Sequence, residues 1–237
     1  MTLLYLLVCP TLASAFPAFA QFQFAPNGVC IQPTHFVEPS LNKKFSMKNV
    51  PGEGDCVFLA VALASWTSVG YGANDVLLRA VARETRQVVA QVLTSPGNLV
   101  IEGKRMVSTK ALLESAARGE RKTPAEYIAL LRKEGIEGGL YGGGPELTVL
   151  ANVLRRPISV YELVTEQNGS ENTSLQQIVC KGTFCEESFA DPLHGVPDSA
   201  VFNVSELPGA FSWHLHILIV DASPNEKHAC VLLPQNQ

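Results

Sequence analysis

The run Gly52-Glu53-Gly54-Asp55-Cys56-Val57-Phe58-Leu59-Ala60-Val61-Ala62-Leu63-Ala64 constrains this chain more than any other stretch. An acidic turn punctuated by glycine ends in a cysteine, and an unbroken apolar run follows. Its alanines and leucines favour a helix over a strand, and a helix apolar on every face belongs inside a core. Cys56 then occupies the first helical turn. There the backbone amides that lack helical partners, and the positive end of the helix dipole, favour thiolate over thiol. The glycines let the preceding backbone approach a substrate closely and turn its amides inward. Amides of the Gly54-Asp55 turn could then form an oxyanion hole beside the nucleophile. The same residues also suit a structural cysteine, packed as a small hydrophobe at a helix start.

With 237 residues, 46% hydrophobic and 17% charged, the chain can bury one sizeable core and carry an N-terminal extension. A net charge of −4, with no basic run and no interleaving of aromatic and basic residues, argues against a nucleic-acid partner. The cysteines at 9, 30, 56, 180, 185 and 230 show no zinc-type pairing. Reduced thiols without a metal are therefore expected.

The apolar stretch Leu3 to Leu12 is too short for a membrane span. Followed by Ala13-Ser14-Ala15 before Phe16, it makes residues 1–20 read as a signal or targeting segment, although no Lys or Arg precedes it. The junction with Phe16-Pro17 also resembles the bipartite targeting signals of algae with complex plastids. The secretory route, a complex plastid and the cytoplasm all stay open as destinations. Residues 21–45 carry prolines and lysines without a hydrophobic period and read as a transit-like linker. Residues 46–237 read as the folded domain.

That domain alternates helices with strands. Asn74 is placed to cap a helix whose stripe includes Leu77, Val81, Val88 and Val92, with Arg79, Arg83 and Arg86 off the stripe on a solvated face. A short helix is expected from Lys110 to Arg118. Thr123-Pro124-Ala125-Glu126 is a capping box with proline in the first turn. Glu146 to Arg155 follows as a helix, Ile158 to Leu163 as a strand, and His214 to Asp221 with His228 to Leu233 as a closing pair of strands. Between Gly138 and Gly144 lies a glycine-dense loop with no Lys-Ser or Lys-Thr after it. This excludes a phosphate-binding P-loop and suits the lining of an extended groove.

A nucleophilic cysteine needs a base. His35 lies in the linker and His194 in a loop, while His214 and His216 alternate on one strand face and suit structural roles. His228 opens the terminal strand, far along the chain from Cys56. A cysteine followed by a late-strand histidine suits a papain-like thiol hydrolase, in which the imidazole takes the thiol proton and returns it to the leaving amine.

Here a family resemblance enters. Gly-Glu-Gly-Asp-Cys-Val-Phe-Leu-Ala resembles the Asp-Gly-Asn/Asp-Cys-Leu-Phe-Arg-Ala signature of the OTU (ovarian tumour) cysteine proteases. Leu78-Arg79, Tyr127, Gly142-Gly143, Glu146-Leu147, Leu150-Ala151-Asn152, Ile158-Ser159-Val160-Tyr161 and His228 follow in the order of that family. The resemblance covers about residues 46 to 235. It implies an α/β, papain-like fold with a small central sheet flanked by helices. It further implies cleavage of isopeptide or peptide bonds after the C-terminal Gly-Gly of ubiquitin or a related modifier. By the same resemblance Cys56 is the nucleophile and His228 the general base. The amide of Cys56, with those of the Glu53–Asp55 turn, holds the oxyanion. Gly142, Gly143 and Gly144 flank the channel for a Gly-Gly tail, and neither cofactor nor metal is required.

Two positions depart from the pattern. Glu53 stands where the family usually has Asp. Cys230 stands two residues after the histidine, where an orienting Asp or Asn often lies. Glu53 or Asp221 would have to substitute, and Glu53 is favoured because the signature already places it near the cysteine. The second reading is a ubiquitin-binding module with weak or lost catalysis.

Overall fold

The computed structural model describes residues 35–38, 43–70, 74–103, 105–165, 173–184, 214–223 and 226–235. The leader at 1–20 and residues 185–213, His194 among them, lie outside them.

The first helix, α1 (Cys56–Ser68), buries every residue from Cys56 to Trp66. This is what an all-apolar sequence requires, because no face of it can be left in water. The second, α2 (Asp75–Thr94), starts where Asn74 accepts a hydrogen bond from the Leu77 amide. Two strands, β3 (Asn98–Gly103) and β4 (Arg105–Ser108), form an antiparallel pair before α3 (Thr109–Gly119). Helix α4 (Pro124–Leu131) has the expected capping box, with Thr123 and Glu126 each bonding the other's backbone amide. Helix α5 (Gly144–Leu154) follows the glycine loop.

Four long strands make up most of the main sheet: β5 (Ile158–Thr165), β6 (Thr173–Lys181), β8 (Leu215–Ser223) and β9 (Glu226–Pro234). A two-residue strand, β7 (Thr183–Phe184), pairs with β3 instead. With β1 (His35–Glu38) and β2 (Lys43–Lys48), the main sheet has the order β1-β2-β9-β8-β5-β6. All its pairings are antiparallel except β5 with β8. The architecture is mixed α/β.

The core is divided by the main sheet. Ile217, Ala229 and Val231 pack with α1 and the other helices in the larger cluster. Leu218, Cys230 and Leu232, from the alternate positions of the same strands, pack with Phe45, Tyr161 and Leu175 in a smaller one. The two-residue alternation of a strand makes this division.

Several elements differ from expectation. The end of the stretch read as a linker is folded: β1 and β2 extend the sheet, and Phe45 is fully buried beside Tyr161 and His216, with ring centroids 5.6 and 5.1 Å away. A four-to-six-residue strand with lysines along it carries little periodic signal, and its pairing with β9 is what orders it. Strand β3 is short, and buried Asn152 holds it from α5: its side chain accepts from the Val100 amide and donates to the Val100 carbonyl, both at 2.8 Å. Thr173 and Ser174 begin β6. Arg86 is not on a solvated face but completely buried.

If β2 is integral to the fold, Phe45→Ala should cost about 3–5 kcal/mol of stability. Urea unfolding followed by circular dichroism measures this, and a loss below about 1 kcal/mol would show that β2 is not part of the core.

Candidate active site

Cys56 is the first residue of α1 and is buried. The amides of Ala229, Val57 and Cys56 itself point at its sulfur and pull the thiol pKa down. Burial is the larger influence and, with the nearby Asp55 carboxylate, leaves the thiol raised. The dipole at the start of α1 therefore does not make a resting thiolate here, because desolvation outweighs the amides. The Ala229 contact also places the sulfur beside the residue that follows His228 in β9.

His228 is buried, and its Nε2 lies 2.7 Å from Oδ1 of Asn49. The same Oδ1 accepts from the Val50 amide at 3.0 Å. An amide N–H can only donate, so the atom it meets is an oxygen and Nε2 of His228 must carry the proton. Nδ1 is then the basic nitrogen. It faces the cysteine loop, where a Cβ on Gly52 would lie 3.7 Å from both Nδ1 and Cε1.

Neither carboxylate expected to orient this ring is bonded to it. Glu53 is half-exposed and pairs with Arg79. Asp221 is exposed and pairs with Lys227 at 2.9 Å. The group on the imidazole is Asn49, which the sequence reading passed over. The β2–β9 register sets Lys48 opposite Val231, so the next step brings Asn49 alongside Cys230 and within reach of His228. Its closeness to the cysteine loop, seven residues before Cys56, was the signal that could have found it. Cys230 donates its thiol to the same Oδ1 at 3.4 Å. Burial, helped by Cys56, pushes that thiol up to about 12, so it stays a neutral donor.

The cysteine loop itself is buried at Gly54 and Asp55. Gly54 has φ +87°, a conformation that costs glycine least. The Asp55 carboxylate accepts from Arg86 Nε at 2.5 Å and from the Gly135 amide at 3.1 Å. It is a structural bracket on the loop.

The glycine loop lies against α1 beside the cysteine. A Cβ on Gly142 would come within 3.0 Å of Val57 Cβ and of the Phe58 ring. Gly143 donates its amide to Glu146 at 2.8 Å, and Tyr127 donates its hydroxyl to the other oxygen of Glu146 at 2.5 Å. Burial and this carboxylate push the Tyr127 hydroxyl pKa far up, which keeps it a donor. At Gly144, which opens α5, a side chain would meet open space. Gly142 and Gly143 are thereby fixed on the wall next to Cys56. His216 bonds Tyr161 at 3.0 Å and His214 lies 3.4 Å from Ser159. Among the described residues no group of three or more His, Cys, Asp or Glu is arranged to hold a metal. No helix among them is long and apolar enough to cross a membrane.

Residues 51–190, from the cysteine loop past β7, match the family of OTU-like cysteine proteases. The chain belongs to that family. The match includes Cys56, Glu146 and the glycine loop and ends before His228. No curated protein matches the OTU chain. Solved structures that resemble it include the viral OTU domain protease from Dera Ghazi Khan virus, at 15% identity over 81% of this chain and 82% of that one, with a TM-score of 0.43. The Hazara virus OTU bound to ubiquitin is 16% identical over 86% and 87%, with a TM-score of 0.45. An OTU deubiquitinase from Wolbachia pipientis wMel is 13% identical over 80% and 88%, with a TM-score of 0.41.

The site geometry leads to three expected outcomes. Asn49→Ala should lower the kcat of the family's thiol hydrolysis by about 10- to 100-fold, the share of general-base catalysis that ring orientation supplies. Glu53→Gln should stay within about threefold, because an exposed ion pair contributes little. Steady-state kinetics of the two variants decides, and the reverse order would restore Glu53 as the orienter. Alkylation of Cys56 by iodoacetamide should still be accelerating above about pH 8.5, where an ordinary cysteine is half ionised. A plateau near neutrality would show that the amides prevail over burial.

Proposed function

We propose that this OTU family member is a deubiquitinating thiol protease with Cys56 as nucleophile, His228 as general base and Asn49 as the residue that orients the imidazole. The observation that carries the reading is the Nε2–Asn49 hydrogen bond. It supplies the positioning group that Cys230 cannot, and it turns the basic nitrogen toward the cysteine loop.

In this mechanism Cys56 Sγ attacks the carbonyl carbon of the modifier's C-terminal glycine while His228 Nδ1 takes the thiol proton. Proton transfer concerted with attack suits a thiol that burial keeps protonated. The carbonyl oxygen becomes an oxyanion and accepts from backbone amides of the loop and of Cys56. The imidazolium protonates the leaving lysine or α-amine, and the thioester remains. Water, deprotonated by the same Nδ1, then releases the carboxylate and the free thiol.

Asn49 is a neutral acceptor. It fixes the tautomer and ring angle but stabilises the imidazolium less than a carboxylate would. Ubiquitin as the modifier rests on the family resemblance. The wall of Gly142 and Gly143 against Val57 and Phe58 supports a channel too narrow for side chains, into which a Gly-Gly tail fits.

The test incubates the full chain with ubiquitin bearing a C-terminal propargylamide. Wild type should form a covalent adduct, Cys56→Ala none, and His228→Ala an adduct at a rate lower by about 100-fold or more. An adduct that persists in Cys56→Ala would sink the assignment. Ubiquitin binding without any adduct would favour the non-catalytic module.

A further inference from the structure

The mechanism above leaves one fully buried charge without a role. Arg86, in the middle of α2, has no exposed surface. Its guanidinium lies 4.4 Å over the Phe58 ring. Nε donates to Asp55 Oδ1, Nη1 to the Leu131 carbonyl at 3.1 Å, and Nη2 to the Gly54 carbonyl at 3.0 Å. We infer that Arg86 is a positioning residue that latches the Gly54–Asp55 peptide with its N–H toward the reaction, so that the oxyanion hole stands preformed.

The geometry runs from the peptide plane. In a trans peptide the carbonyl and the following N–H point in opposite directions. Arg86 draws the Gly54 carbonyl into the core, so the Asp55 N–H points away from Arg86 and out of the core. The preceding carbonyl, that of Glu53, faces Gly135 so closely that a Cβ there would come within 2.0 Å of it. The Gly54 N–H is thereby turned away from Gly135 as well. A positive φ of 87° at Gly54 followed by φ −102° at Asp55 is the change of sign in which successive N–H groups converge on an anion. The opposite peptide orientation would put the Gly54 carbonyl oxygen where the substrate oxyanion must sit and would remove a donor.

Gly135 completes the latch from the other side. Its amide holds Asp55 Oδ2, and its lack of a side chain admits the loop. A lysine could balance the Asp55 charge, but one ammonium cannot reach the carboxylate and two carbonyls in the planar fork that arginine provides.

The inference rests on the thiol-protease reading, and the experiment separates the two. Full-length wild type, Arg86→Lys and the double variant Asp55→Asn/Arg86→Met are assayed on a fluorogenic ubiquitin C-terminal amide and, in parallel, by iodoacetamide alkylation of Cys56. Alkylation develops no oxyanion, so a lost latch leaves it unchanged while lowering turnover. Arg86→Lys should lose about 100-fold in kcat, with KM and the alkylation rate within about twofold of wild type. An unchanged kcat, or a fall in alkylation that matches the fall in kcat, would overturn the latch. The double variant leaves no unpaired buried charge, so its crystal structure guards against a misfolded single variant. A Gly54 carbonyl still turned inward there would overturn the inference whatever the turnover. A wild type that cleaves no ubiquitin substrate would remove the protease reading alone.

Discussion

The buried pair of Arg86 and Asp55 is the interaction on which this site depends. Removing both charges from water is costly, and their mutual attraction offsets that cost only when every donor and lone pair is satisfied. Here the guanidinium reaches a carboxylate, two carbonyls and an aromatic face, and the carboxylate has a second donor in Gly135. The pair joins α2, the end of α4, the cysteine loop and α1 at one point. Breaking such a pair from one side typically costs about 3–5 kcal/mol. Its net contribution to stability is small by comparison. What it contributes is a single conformation for a loop that contains two glycines and would otherwise sample many.

The second constraint is the strand register at the edge of the sheet. The chain closes this site by laying β2, just upstream of the cysteine loop, against β9, which carries His228. Asn49 and His228 are 179 residues apart in sequence. One backbone pairing therefore brings His228 and Asn49 together, and the amide of the next residue, Ala229, meets the Cys56 sulfur. Cys230, at the place where an acid was expected, is pressed into the smaller apolar cluster with Phe45 and Tyr161. A carboxylate there would be desolvated, whereas a neutral thiol bonded to Asn49 is tolerated.

The glycine loop is held by a buried carboxylate rather than by its own sequence. Glu146 spans the Gly143 amide and the Tyr127 hydroxyl. This explains how a flexible run becomes a wall against α1. Gly142 and Gly135 are glycines for the same physical reason: other parts of the chain occupy the space a Cβ would need.

Local chemistry made much of this legible beforehand. The all-apolar run after Cys56 favoured a buried helix, and it is one. The caps at Asn74 and Thr123 start α2 and α4 at the residues expected, and the two closing strands stand where their alternation put them. The structure sets Gly52 of the cysteine loop beside His228 and the glycine loop against the start of α1. Asn49 and the role of Arg86 were not legible, and β1, β2, β3 and β6 were missed. The sequence determined the helices and the strands β5, β8 and β9, because those preferences act between near neighbours. It also determined which residues have the chemistry to act. Which group meets the imidazole, and which of three arginines on one helix is swallowed by the core, depends on contacts between residues 31 to 179 positions apart. An arginine beside a hydrophobic stripe has the same local pattern whether it ends in water or under a carboxylate. Only the packing of α2 on the cysteine loop, and the register of β2 on β9, decided those two outcomes.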